Sequence, residues 1–66
     1  MAILKVIEVL ANSGKSWEDA TQNAVDQASK TVKNIRSVYV QEQSATVKDG
    51  KVDDYRVNVK ITFEVR

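Results

Sequence analysis

Tyr55-Arg56-Val57-Asn58-Val59-Lys60-Ile61-Thr62-Phe63-Glu64-Val65-Arg66 closes the chain, and its apolar residues fall on every second position. Tyr55, Val57, Val59, Ile61, Phe63 and Val65 form one set; Arg56, Asn58, Lys60, Thr62, Glu64 and Arg66 form the other. A period of two places the two sets on opposite faces of a β-strand. The strand is long for so small a protein, and it carries a complete polar face beside a complete apolar one. A single short helix precedes it, and one helix covers one face of a sheet. The other face, or the sheet edges, must meet solvent, a ligand or another copy of the chain.

Working back from this strand, Lys48-Asp49-Gly50-Lys51 separates it from a second strand pattern, Ile35 to Val47. Asp-Gly between two strands is a strong hairpin signal, because Gly accepts positive φ. Simple alternation places Arg36, Val38, Val40 and Glu42 on one face of the second strand and Ser37, Tyr39, Gln41 and Gln43 on the other.

Before it lies an amphipathic helix pattern. Ser16 is the expected N-cap, with Asp19 three residues on, and Glu18 and Asp19 suit the positive end of the helix dipole. Trp17, Ala20, Ala24, Ala28, Thr31 and Ile35 step by three or four along one face, flanked by Val25 and Val32. Lys30 and Lys33 suit the negative end. So much Ala on the apolar face lets the helix axis lie close to a sheet. Ala2 to Leu10 is rich in Ile, Leu and Val and is expected to be the first strand. It is apolar on both parities, with Ile3, Ile7 and Val9 on one and Leu4, Val6 and Leu10 on the other. A strand apolar on both sides is usually buried on both, so a neighbouring subunit is expected to supply the second cover.

The expected fold is therefore α+β, a single domain over residues 1–66 with the order β-α-β-β. A three-stranded antiparallel sheet partly wraps around one helix. A chain of 66 residues hides only roughly 60% of its unfolded surface and is marginal alone. Small folds recover stability from disulfides, a metal or oligomerisation. There is no Cys and no His, so disulfides, thiolate metal sites and imidazole ligands drop out, and self-association remains.

Ten Lys and Arg against nine Asp and Glu give a net charge of +1, without the clustered basic excess of a nucleic-acid partner. No apolar run approaches the roughly 20 residues of a membrane span. The apolar start is interrupted by Lys5 and Glu8 and does not have the form of a signal peptide. The absence of Cys fits a cytoplasmic protein.

No catalytic signature is present. Without His or Cys, neither a Ser-His-Asp nor a Cys-His set exists. Gly14-Lys15-Ser16 before a helix has the end of a phosphate-binding loop, but the required Gly five positions earlier is Val9. An ordinary loop and N-cap account for it. Glu18, Asp19, Asp26, Asp49, Asp53 and Asp54 are oxygen ligands for a hard cation, yet none falls in an EF-hand spacing. Solvated charge is the plainer reading, and symmetry could still assemble single carboxylates from several chains. Trp17 is expected to anchor packing. Tyr39 is a candidate subunit or ligand contact, and Arg56 the best partner for an anion or carboxylate on the polar face.

The chain resembles the dodecins, small flavin-storing proteins of β-α-β-β topology that assemble as hollow shells of twelve chains. The resemblance rests on Lys5-Val6-Ile7-Glu8-Val9, Ser16-Trp17-Glu18-Asp19-Ala20, Ala24-Val25-Asp26-Gln27-Ala28, Thr31-Val32-Lys33-Asn34-Ile35, Tyr55-Arg56-Val57 and Ile61-Thr62-Phe63-Glu64-Val65, in order and at the family's length. It implies a non-catalytic shell that binds or buffers a small ligand. In flavin-binding members a Trp at the start of the second strand stacks on the isoalloxazine ring, and a Gln on the third strand, after a Tyr, bonds its polar edge. Those positions are Ser37 and Arg56 here. Ser has no π-face, and Arg lacks the acceptor that an amide provides. Flavin (FMN, FAD or riboflavin) is thus the implied ligand at an altered site. Ser16-Trp17-Glu18, Asn34-Ile35-Arg36, Glu42-Gln43 and Tyr55-Arg56 are more similar to a branch that lacks the stacking Trp and includes a calcium-binding member. Calcium at subunit junctions is the first alternative, with ligands not assigned to residues. A structural oligomer without a small ligand is the second.

Overall fold

The computed structural model describes residues 2–65; the expected outward placement of Arg66 lies outside them. The elements run β1 (Ile3–Ser13), α1 (Trp17–Ala28), β2 (Ile35–Lys48) and β3 (Lys51–Val65). All pairings are antiparallel, and the sheet order is β1-β3-β2. The strand of strict alternation is therefore the central one. Its apolar row meets the helix: Val57, Val59 and Ile61 are fully buried against Ala20, Ala24 and Ala28. The three alanines recur every four residues, so they share one face and let the helix sit close to the strand. Ile7, Val9, Ala11, Trp17, Ile35 and Val40 close the margin of this core.

The start of the helix agrees with the expectation. Ser16 has an extended backbone, and its hydroxyl accepts from the Asp19 amide at 2.9 Å. Ser13 Oγ donates to Asp19 Oδ2 at 2.6 Å and accepts the Lys15 amide at 2.9 Å, which ties the β1–α1 connection together. The end departs from it. The helix stops at Ala28 with Ser29 as C-cap, so Thr31 and Ile35 leave its apolar face, and no basic residue lies in the last turn. The Ser29 hydroxyl bonds back to the Val25 carbonyl at 2.7 Å, and β-branched Thr31 and Val32 are poor helix formers. Asn34 turns the chain at φ 63°, a conformation Asn tolerates. Ile35 is then drawn into the sheet opposite Phe63.

β1 is longer than expected, because its ladder with β3 continues to Ser13 opposite Tyr55. The β2–β3 hairpin turns at Asp49 (φ 53°) and Gly50 (φ 76°), both left-handed. A Cβ at Gly50 would meet no heavy atom within 4 Å, so its cost is backbone strain alone. Gly50→Ala is expected to lower stability by about 1 kcal/mol, measured as a drop in the urea midpoint; an unchanged midpoint would mean that the turn relaxes freely.

β2 is not a plain alternating strand. Its register with β3 shifts between Ile35 and Ser37, between Val40 and Glu42, and between Thr46 and Val47. Arg36 and Gln41 are the extra residues of the first two shifts, whereas at the third the extra residue is Asp53 of β3; each transfers the remainder of its own strand to the other face. The shift at Gln41 corrects the alternation reading: Glu42 pairs with Asn58 and leaves the face of Val38 and Val40, while Gln43 pairs with Val57 on the helix side.

Candidate functional site

The helix covers one face of the sheet, chiefly over β1 and β3. The opposite, outer face is built on the polar row of β3. Residues directly paired across strands share a face. Arg56 is thus flanked by Asn12 and Ser44, Asn58 by Leu10 and Glu42, Lys60 by Glu8 and Tyr39, and Thr62 by Val6 and Ser37. The even-numbered apolar residues of β1 also lie here, with Leu4 and Val6 each 56% and Leu10 78% exposed. The two-sided first strand is therefore covered on one side only within the chain.

The middle of this face dips into an open depression of about 470 Å³ whose lining includes Leu10, Asn12, Glu42, Ser44, Arg56 and Asn58. Its polar groups differ in how they are satisfied. Asn12 Nδ2 donates to Asp54 Oδ2 at 2.6 Å. Asn58 Oδ1 is buried without a hydrogen-bond donor among the described residues. Arg56 and Glu42 are both exposed, and the ion pair among the described residues is elsewhere, Arg36 Nη2 to Glu64 Oε1 at 2.9 Å. An open cation and an open anion thus stand two residues out of register on neighbouring strands.

The three residues expected at a ligand site share the outer face but are spread along it. Ser37 pairs opposite Thr62 and Tyr39 opposite Lys60, while Arg56 lies in the depression. At roughly 3.3 Å per residue, Ser37 and Arg56 are about 20 Å apart along the strand, and Tyr39 and Arg56 about 13 Å. A single chain does not bring them around one small molecule. Sequence alone did not single out Glu42, Ser44, Asn12 or Asn58. Simple alternation groups Glu42 with Val38 and Val40, whereas the bulge sets it on the outer face opposite Asn58. A run of three polar residues, Gln41-Glu42-Gln43, was the available sign that no apolar side chain holds the phase there.

Trp17 is an anchor on the helix side. Its indole Nε1 donates to the Ser44 carbonyl at 2.9 Å, and its ring meets Tyr55 edge-on at 4.9 Å between centroids. The helix start is thereby pinned to the strand whose Ser44 side chain lines the depression. Of the carboxylates considered for a cation, Asp19, Asp26 and Asp54 accept hydrogen bonds from Ser13, Gln22 and Asn12. No group of three or more Asp or Glu positioned for a metal occurs among the described residues. No helix among them is long and apolar enough to cross a membrane.

A family model described as Dodecin matches residues 3–66. A curated relative, the calcium dodecin of Mycobacterium tuberculosis, is 35% identical over 66 residues, spanning all of this chain and 93% of the relative. The crystal structure of a calcium-chelating calcium dodecin from the same organism is 37% identical, with a TM-score of 0.82 over 97% of this chain and 91% of that one. A Thermus thermophilus dodecin variant superposes with a TM-score of 0.95 at 26% identity, covering 100% and 98% of the two chains. The Streptomyces coelicolor dodecin gives 0.93 at 28%, covering 98% and 93%.

Proposed function

Because this chain belongs to the dodecin family, we propose that it works as a closed homo-oligomeric shell, of twelve chains, that binds or buffers a small ligand without catalysing a reaction. The observation that carries this is the uncovered outer face. The chain exposes 4923 Å², where a compact monomer of its mass exposes about 4200 Å². Its radius of gyration is 13.5 Å, against about 11 Å for a compact domain of this length. Leu4, Val6 and Leu10 stand open on the extra surface. Copies that cover one another remove this apolar area from water and protect the sheet edges.

The ligand is held where outer faces meet. Ser37 and Tyr39 of one copy and Arg56 of another bracket it, which reconciles the wide spacing of these residues within one chain. Flavin is the ligand that the family resemblance implies, at a site that has lost its stacking ring. Calcium is a second reading. It is favoured by the relative at 35% identity, which is a calcium dodecin, and by Ser37 in the place of the Trp. Carboxylates from several copies would supply its oxygen ligands.

Native mass spectrometry of protein purified without added cofactors tests both parts at once. The expected spectrum shows a twelve-chain species and the mass of any retained ligand. A solitary 7.4 kDa species overturns the shell. A parallel melt separates the ligands: a cation that prefers the native state raises the melting temperature with concentration, and chelator reverses it. A melt unmoved by millimolar calcium removes that reading.

A further inference from the structure

Building on the self-association just proposed, we infer that two copies meet outer face to outer face across a two-fold axis, with Arg56 of each copy paired to Glu42 of the other. An isologous contact places one patch against itself, so the patch must be self-complementary. The depression on the outer face has that property. It holds one guanidinium and one carboxylate, both exposed and both without an ion-pair partner among the described residues. Rotation by 180° exchanges their positions, so the same pair forms twice, once on each side of the axis. Leu10, the most exposed large apolar residue among those described, lies in the same lining and supplies apolar area at the centre.

The bulge at Gln41 makes this arrangement. Without it, Glu42 would face the helix side with Val38 and Val40; with it, the carboxylate stands on the face of Arg56. The whole chain exposes roughly 700 Å² more than a compact monomer of its mass would, so it has surface to bury against a second copy. Nor does the pair exclude the ligand role. A bidentate carboxylate takes two of the five guanidinium N–H groups and leaves three for a ligand beside it. Arg56 thus fastens copies together as well as facing the ligand.

Charge exchange tests the pairing. Arg56→Glu and Glu42→Arg each put like charges across the axis, and the double variant restores opposite ones. Stoichiometry is followed by light scattering across a dilution series, with circular dichroism checking that each variant is folded. Each single reversal is expected to raise the concentration at half-assembly by at least about ten-fold, and the double exchange to bring it back. The neutral variants Glu42→Gln and Arg56→Gln serve if a reversal does not fold: their effects are expected to be less than additive, because either one removes the same pair. An oligomeric wild type whose reversals assemble unchanged, or whose double variant shows no recovery, overturns the pairing and leaves the shell standing. A monomeric wild type overturns the shell itself.

Discussion

Ile61→Ala is expected to lower the stability of the fold by about 2–5 kcal/mol, seen as a fall in the urea midpoint at fixed protein concentration. Ile61 has no exposed surface and lies in the middle of the central strand, over the alanine stripe of the helix. Large-to-small changes cost most where the surroundings cannot collapse into the void. Ala20, Ala24 and Ala28 have no rotamers with which to fill it, and Val57 and Val59 are held by the ladders on both sides. The result belongs in the upper half of the range. A domain of this length has about 3–10 kcal/mol in total, so the variant loses a large share of its folded population. Ile61→Val, which removes one methylene, is expected to cost about 0.5–1.5 kcal/mol. A loss below about 1 kcal/mol for the alanine variant, under the usual span for such a truncation, would show that the buried row of β3 is not the main source of stability.

Replacing Ser37 by Trp and Arg56 by Gln together is expected to create or strengthen flavin binding. The measurement is quenching of riboflavin or FMN fluorescence by micromolar protein. Ser37 lies exposed on the outer face, opposite Thr62, so an indole there has room to present its π-face. Stacking a planar base on an aromatic ring is worth roughly 1–3 kcal/mol, which tightens binding by about 5- to 150-fold. The amide at position 56 adds an acceptor that guanidinium lacks. Because Arg56 also serves the contact between copies, assembly of the double variant is followed by light scattering alongside the titration. The ordering of the singles is informative: Ser37→Trp carries most of the gain, and Arg56→Gln alone carries little. Quenching that stays at the wild-type level in an assembled double variant would sink the placement of the ligand at these positions.

Much of the fold was legible because local chemistry and tertiary packing agree. The alternation of Val57, Val59 and Ile61 marks the row that ends up buried. Ser16 caps the helix as its side chain allows, and Asp49-Gly50 turns the hairpin where positive φ is tolerated. The end of the helix was not legible. Thr31 and Ile35 continue its spacing, yet the Ser29 back-bond and the pairing of Ile35 with Phe63 end it earlier. A three- or four-residue period cannot show which of two elements will claim a residue at their boundary. The candidate site was legible only in part. Arg56 is given directly by the polar phase of β3, whereas Glu42 depends on an extra residue in β2 that alternation does not encode.

Residue order alone determined the β-α-β-β succession, the apolar row of β3, the alanine stripe that meets it, and the excess of apolar surface on β1. These arise from side-chain period and from propensities acting within a few residues. Only the tertiary structure decided that β3 is central, that β2 is bulged at Gln41, and that Glu42, Arg56 and Asn58 share one depression. The reason is that strand order and register are settled by pairing between distant segments. There, moving one residue in or out of the ladder transfers every later side chain to the other face.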